Sequence, residues 1–116
     1  ENIIEAVKRG VDMFDCVIPT REARHGRLYI TKTQKHKNTK TKIFMSYETI
    51  NILNAKYRDD FSPINSTNLK NYTQAYFHHL FKTGEPLGMR LATLNNLDFY
   101  LTLMAKIRQA IRKGQL

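Results

Sequence analysis

A carboxylate, Asp15, stands in a short apolar run from Val11 to Ile18, and two arginines, Arg21 and Arg24, follow just beyond it. A carboxylate is one of the few side chains able to attack carbon covalently. Taken by itself, however, a lone aspartate in a strand is more often a hydrogen-bonded structural acid. Guanidinium groups grip phosphate and base edges with two hydrogen bonds, so the arginines suit an RNA contact as well as a solvated loop. Asp12 lies an odd step from Asp15, which on a strand places it on the opposite face, and it is read as structural. Cys16 also faces away from Asp15 and no histidine base pairs with it, so a buried, inert thiol is expected.

The elements that must position these groups are legible in outline. Asn2 can cap a helix through Arg9, with Gly10 as its stop. Val11 to Ile18 reads as a buried strand ended by Pro19. Leu28 to Thr31 and Ile50 to Leu53 are further strand candidates. Asn71 to Lys82 places Tyr72, Ala75, Tyr76, His79 and Leu80 on one helical face, closed by Gly84. Pro86 opens a short helix to about Leu94, and the periodicity of Tyr100, Leu103, Met104, Ile107 and Ile111 predicts a last helix from about Asn96 to Lys113. Three helices behind one helix–strand step do not complete an α/β sheet.

The chain has 116 residues and a formal charge of +9. More than half of that charge comes from Lys32, Lys35, Lys37, Lys40 and Lys42, in a stretch from Thr31 to Tyr47 that holds no acidic residue. Such a segment serves equally as a solvated loop or as a salt-sensitive, sequence-blind RNA contact. No apolar run reaches the ~20 residues of a membrane span, and the charged first ten residues do not form a signal peptide. The lack of an initial Met leads to the expectation of a piece of something longer. One cysteine suits a reducing cytoplasm.

The stretch Val7-Lys8-Arg9-Gly10-Val11-Asp12-Met13-Phe14-Asp15-Cys16-Val17-Ile18-Pro19-Thr20-Arg21, followed by Ala23-Arg24-His25-Gly26, resembles the catalytic segment of bacterial tRNA-guanine transglycosylases. Asn54-Ala55-Lys56-Tyr57 is similar to that family's strand before its zinc site. Ala75-Tyr76-Phe77-His78-His79-Leu80 is similar to its helix after the first zinc ligands, and Thr93 to Tyr100 with Leu103-Met104 to its final helix. The blocks occur in the family's order. The resemblance implies an α/β fold, the C-terminal fragment of a (β/α)8 TIM barrel with a degenerate zinc-subdomain region. It divides the chain into a late barrel helix–strand unit with the nucleophile segment (1–30), a lysine-rich insertion (31–47), the degenerate zinc region (48–71) and C-terminal helices (72–116).

The implied activity is exchange of the wobble guanine of certain tRNAs for queuine or its deazaguanine precursor. Asp15 matches the family nucleophile, Arg21 and Arg24 match residues that hold the anticodon loop, and Tyr72, Tyr76 and His79 resemble its homodimer contact, a stripe that packing within the subunit explains almost as well. The family's zinc site takes cysteines in a Cys-x-Cys-x-x-Cys arrangement and a later histidine. Here the corresponding stretch, Pro63 to Tyr72, is a few residues shorter and has no cysteine, and Asn95 stands at the histidine position. Carboxamides are poor zinc donors, so no zinc and no other cofactor is expected, and His78 and His79 match positions without a metal role. The family's base pocket and general acid/base lie upstream of these blocks. The chain alone is therefore expected to be inactive, with tRNA as partner once an upstream half, on the same or a separate chain, completes it. A non-catalytic remnant and a basic RNA-binding fragment are the other readings.

Overall fold

A computed structural model describes residues 2–32 and 46–116. The elements in order are α1 (Asn2–Lys8), α2 (Ile18–Arg24), β1 (Arg27–Thr31), β2 (Tyr47–Asn51), a 3-10 turn (Ala55–Tyr57), α3 (Gln74–Thr83) and α4 (Pro86–Arg112). The result is a mixed arrangement of helices around one small antiparallel sheet rather than a closed barrel. The lysine-rich stretch, apart from its ends, falls at 33–45, outside the described residues.

The strand expected over Val11–Ile18 is not formed. Val11–Val17 carries neither helix nor ladder, and Ile18 already belongs to α2. A strand needs a neighbour to satisfy its peptide groups. Among the described residues the strands are β1 and β2, and they pair with one another. Pro19 therefore opens a helix instead of ending a strand: it sits in the first turn of α2, where its missing N–H costs nothing. The hydroxyl of Thr20 donates back to the carbonyl of Val17 at 3.1 Å and helps to close that turn.

Gly26 makes the corner from α2 into the sheet. Its φ of +75° is a conformation that L side chains rarely adopt, and an added Cβ would lie 3.2 Å from Cγ2 of Ile52. The same residue accepts a hydrogen bond from the Ile52 amide at 2.9 Å, which pins the corner to the end of β2. The antiparallel register then runs from Arg27↔Asn51 to Thr31↔Tyr47 and places the buried Leu28 opposite the buried Ile50. At its far end the ladder is finished by the Lys32 amide on the Ser46 carbonyl at 2.8 Å and by an exposed Lys32–Glu48 ion pair.

The core sits where this hairpin meets α2, α3 and the first half of α4, around Leu28, Ile52, Ile64, Phe77, Leu91 and Ala92. The strand expected at Asn54–Tyr57 is a 3-10 turn over Ala55–Tyr57, which buries the Tyr57 ring. α3 starts later than the periodicity predicts, because Thr73 caps it: its hydroxyl accepts from the Tyr76 amide at 3.1 Å, and Gly84 with φ +72° ends it.

The two helices expected over 86–94 and 96–113 are one, the 27 residues of α4. The sequence suggests a break at Asn95-Asn96, since asparagine favours helix starts. Both side chains instead turn into the protein and find partners on distant backbone, so nothing interrupts the helix.

Candidate functional site

Asp15 is exposed, three residues before α2, in the wall of a cavity of about 360 Å³. The same cavity is lined by Tyr29 and Tyr47 of the hairpin and by Phe99 and Tyr100 of α4. These rings form one cluster. Tyr29 stacks on Phe99 (centroids 5.2 Å apart, planes at 17°) and meets Tyr100 edge-on at 5.3 Å, while Tyr47 leans on Phe99 at 5.0 Å. Contacts of this geometry add to what burial alone contributes. Burial, and then the neighbouring Tyr29 phenol, push the Tyr100 hydroxyl well above the ordinary tyrosine range, so it stays protonated and can donate throughout the neutral range.

Sequence reasoning missed this cluster. The signal present was Phe99-Tyr100 beside two tyrosines, Tyr29 and Tyr47, on segments that could pair. In the observed register Tyr47 lies diagonal to Tyr29, within reach of large rings.

Cys16 lines the same cavity and is exposed, so the expected buried, inert thiol is not found. The cause is the missing ladder: without a sheet to enter, the segment lies on the surface, with Met13 86% and Val17 61% exposed. Asp12 is likewise exposed, and its predicted opposite-face placement lapses with the strand.

Arg21 and Arg24 stand three positions apart on α2 and so share one side of it. Both are exposed. Arg21 lies 4.0 Å from Glu22, which is itself paired with Arg27 at 3.3 Å. Exposed pairs of this kind are worth little, so the guanidinium of Arg21 remains available to an anion. Position is fixed from below: Ala23 and Pro19 are the buried residues of α2, packed against α4 and the hairpin.

Asn96 does most to hold α2 in place. It is completely buried, and its Nδ2 donates to the carbonyls of Pro19 (3.0 Å) and Arg27 (2.9 Å) while its Oδ1 accepts from the Tyr29 amide at 3.1 Å. The neighbouring Asn95 donates to the Tyr29 carbonyl and to Oδ1 of Asn96, both at 3.1 Å, and accepts from Nδ2 of Asn65 at 3.1 Å. The predicted metal-histidine position is thus a fully committed carboxamide. Among the described residues no group of three or more His, Cys, Asp or Glu side chains stands close enough to hold a metal ion.

Tyr72 and Tyr76 stack at 6.0 Å with planes at 18°, and His79 is exposed one turn further along α3. His78 is buried and bonds the Ile52 carbonyl through Nδ1 at 2.8 Å, a structural use. Among the described residues no helix is long and apolar enough to cross a membrane.

The family model described as queuine tRNA-ribosyltransferase matches residues 1–116. The chain is 49% identical over 115 residues to the queuine tRNA-ribosyltransferase of Haemophilus influenzae (strain PittEE), covering 96% of this chain and 26% of that protein. It is 48% identical over 117 residues to the one from Clostridium kluyveri (strain ATCC 8527), covering 97% and 27% respectively. It is 47% identical over 119 residues to the one from Pasteurella multocida, covering 99% and 27%. The chain therefore spans about a quarter of the length of the curated relatives it matches, and it belongs to the queuine tRNA-ribosyltransferase family.

Proposed function

We propose that this chain is the C-terminal portion of a tRNA-guanine transglycosylase, contributing a late helix and the nucleophile segment of a (β/α)8 barrel together with the helices behind them. The observation that carries the reading is the family match over the whole chain, with Asp15 exposed beside the helix that bears Arg21 and Arg24. In this reading a carboxylate oxygen of Asp15 attacks C1′ of the wobble ribose. The bond from C1′ to guanine breaks with its electron pair leaving on the base, and an ester joins Asp15 to the ribose. The departing guanine takes up a proton at the freed nitrogen. A ring nitrogen of the incoming deazaguanine then gives up its proton as it attacks C1′, the ester bond breaks, and Asp15 returns as carboxylate. Both proton transfers fall to the general acid/base of the upstream half. Two displacements retain configuration, as in retaining glycosidases. Arg21 and Arg24 hold the anticodon-loop phosphates beside this point.

Among the described residues Asp15 is the one carboxylate lining the cavity, and the base-recognition pocket and general acid/base of the family lie upstream of the matched blocks. A nucleophile gains its rate from positioning and electrostatic preorganisation, so by itself the chain does not exchange guanine. It acts once an upstream half closes around the cavity, and the Tyr72–Tyr76–His79 face joins two such units. The work is placed in the cytoplasm, where tRNA and a lone free thiol both belong. A second reading, a non-catalytic basic RNA-binding remnant, draws on the charge of +9.

The experiment is incorporation of labelled guanine into tRNA by the polypeptide that carries this chain, with tRNA affinity measured over a salt series. Exchange is expected, together with a salt slope that Arg21→Ala/Arg24→Ala lowers by about one to two counterions. Salt-sensitive binding with no exchange at any concentration leaves only the second reading. A slope unchanged by the double substitution removes the arginines from the RNA contact.

A further inference from the structure

We propose that the chain fastens its Pro63–Thr73 loop to α4 with a metal-free lattice of side-chain amides, at the place where the family resemblance calls for a structural zinc. The loop is closed at its neck by the Pro63↔Thr73 bridge, by the Ile64 amide on the Tyr72 carbonyl at 2.9 Å and by the Gln74 amide on the Ser62 carbonyl at 3.0 Å. Asn65 is its hub. Oδ1 of Asn65 accepts from the amides of Thr67 (3.1 Å) and Leu69 (2.9 Å), which shapes the loop from within. Nδ2 of the same side chain donates to Asn68 at 3.0 Å and to Asn95 on α4 at 3.1 Å. A second tie, from the Thr67 hydroxyl to Asp98 at 2.8 Å, lies one helical turn further along.

The donor set does not fit zinc. A structural zinc site uses four sulfur or nitrogen donors in a tetrahedron. Here the groups that meet are carboxamides, a hydroxyl and one carboxylate, and the carboxamide of Asn95 is spent on Asn65, Asn96 and the Tyr29 backbone. Ile64 and Leu69, at 0% and 3% exposure, pack inward from the loop, and Asn65, Thr67, Asn95 and Asp98 border a small cavity of about 120 Å³ whose polar lining holds no sulfur or imidazole donor. Apolar side chains and neutral amides do together what a metal would do, joining loop to helix, and they do it without the proton release and metal dependence of a thiolate site. Through Asn95 the lattice runs on to Asn96, and so to the backbone of β1 and α2. The loop is thereby tied to the segment that carries the arginines.

This inference stands on the loop's own geometry, and its test reads metal content and stability rather than RNA chemistry, so it fails or survives separately from the transglycosylase reading. The polypeptide that carries this chain is purified from zinc-supplemented cells, desalted and assayed for metals. Its thermal midpoint is then followed with a strong zinc chelator and with added zinc. The expected result is far less than one zinc per chain and a midpoint that neither reagent moves. Asn65→Ala, which removes the hub, is expected to lower the midpoint by about 4–8 °C or more, and Asn95→His is expected to gain no zinc. About one zinc retained per chain, or a midpoint that falls on chelation, overturns the proposal. So does an Asn65→Ala protein as stable as the parent. The metal assay and the chelator series need no variant, so they decide the matter even if Asn65→Ala does not fold.

Discussion

Asp15→Ala, made in the polypeptide that carries this chain, is expected to abolish covalent capture of tRNA and to lower guanine exchange by on the order of 10⁴-fold or more, the scale of loss when an attacking residue is removed. The expectation follows from the exposed carboxylate in the cavity wall, where among the described residues no other carboxylate lines the cavity. tRNA affinity should change little, since the phosphates are assigned to Arg21 and Arg24, so the loss falls on the chemical step. Cys16 is the necessary control. It is exposed next to Asp15 in the same cavity, and a thiol is a competent nucleophile in its own right. Cys16→Ser is expected to keep full covalent capture on a denaturing gel. RNA adducts that persist in Asp15→Ala and vanish in Cys16→Ser would reassign the attack to the thiol.

Asn96→Ala is expected to cost about 3 kcal/mol, the largest stability loss of any single surface-distant substitution considered, without touching RNA directly. The side chain is entirely buried and satisfies two carbonyls and one amide of the main chain, those of Pro19, Arg27 and Tyr29. Each buried group left without a partner costs roughly 1–3 kcal/mol, partly relieved by water that enters the gap. A urea titration gives the number, and a loss under about 0.5 kcal/mol would show that the backbone groups find other partners. Asn96→Asp separates geometry from charge. A carboxylate there would face two carbonyl oxygens, so its pKa in the folded protein must rise above the ordinary value near 4. The folded state then binds the extra proton, and the stability of this variant falls as pH rises from about 4 towards neutrality. An Asp variant equally stable at pH 4.5 and pH 7 contradicts the bond assignments.

These asparagines also mark where the sequence could be read and where it could not. The periodicity of α3 and α4, β1 and α1 are legible, because apolar spacing and glycine stops are local signals, whereas β2, expected over Ile50 to Leu53, runs from Tyr47 to Asn51 because its start is set by pairing with Thr31. The single continuous α4 was not. Asn95-Asn96 looks like a helix start when only local preference is weighed, and the outcome depends on backbone partners 66 to 77 residues away. The failure at Val11–Val17 has the same character. The residues suit a strand, but a strand exists only where another chain segment supplies hydrogen bonds. Asp15, Arg21 and Arg24 are singled out by family resemblance alone, and the structure adds what that resemblance did not carry: the aromatic cluster that lines the same cavity as Asp15 and the amide lattice behind the helix of the arginines.

The bond from Asn96 to Pro19 spans 77 positions of sequence. α3 and α4, by contrast, are joined by a turn of two residues, Gly84 and Glu85. Contacts between near neighbours close quickly, whereas distant ones must wait until the chain between them has been ordered. Loop-closure entropy thus favours one order of assembly: α3 and α4 come together first, the hairpin docks on them, and α2 is locked last, when Asn96 takes hold of it. Opening runs in reverse. In hydrogen exchange under native conditions the amides of α2 should be released before those of the middle of α4, and equal protection of the two would refute that order. The end of the molecule assigned to RNA is, in this sequence of events, the last to arrive and the first to leave.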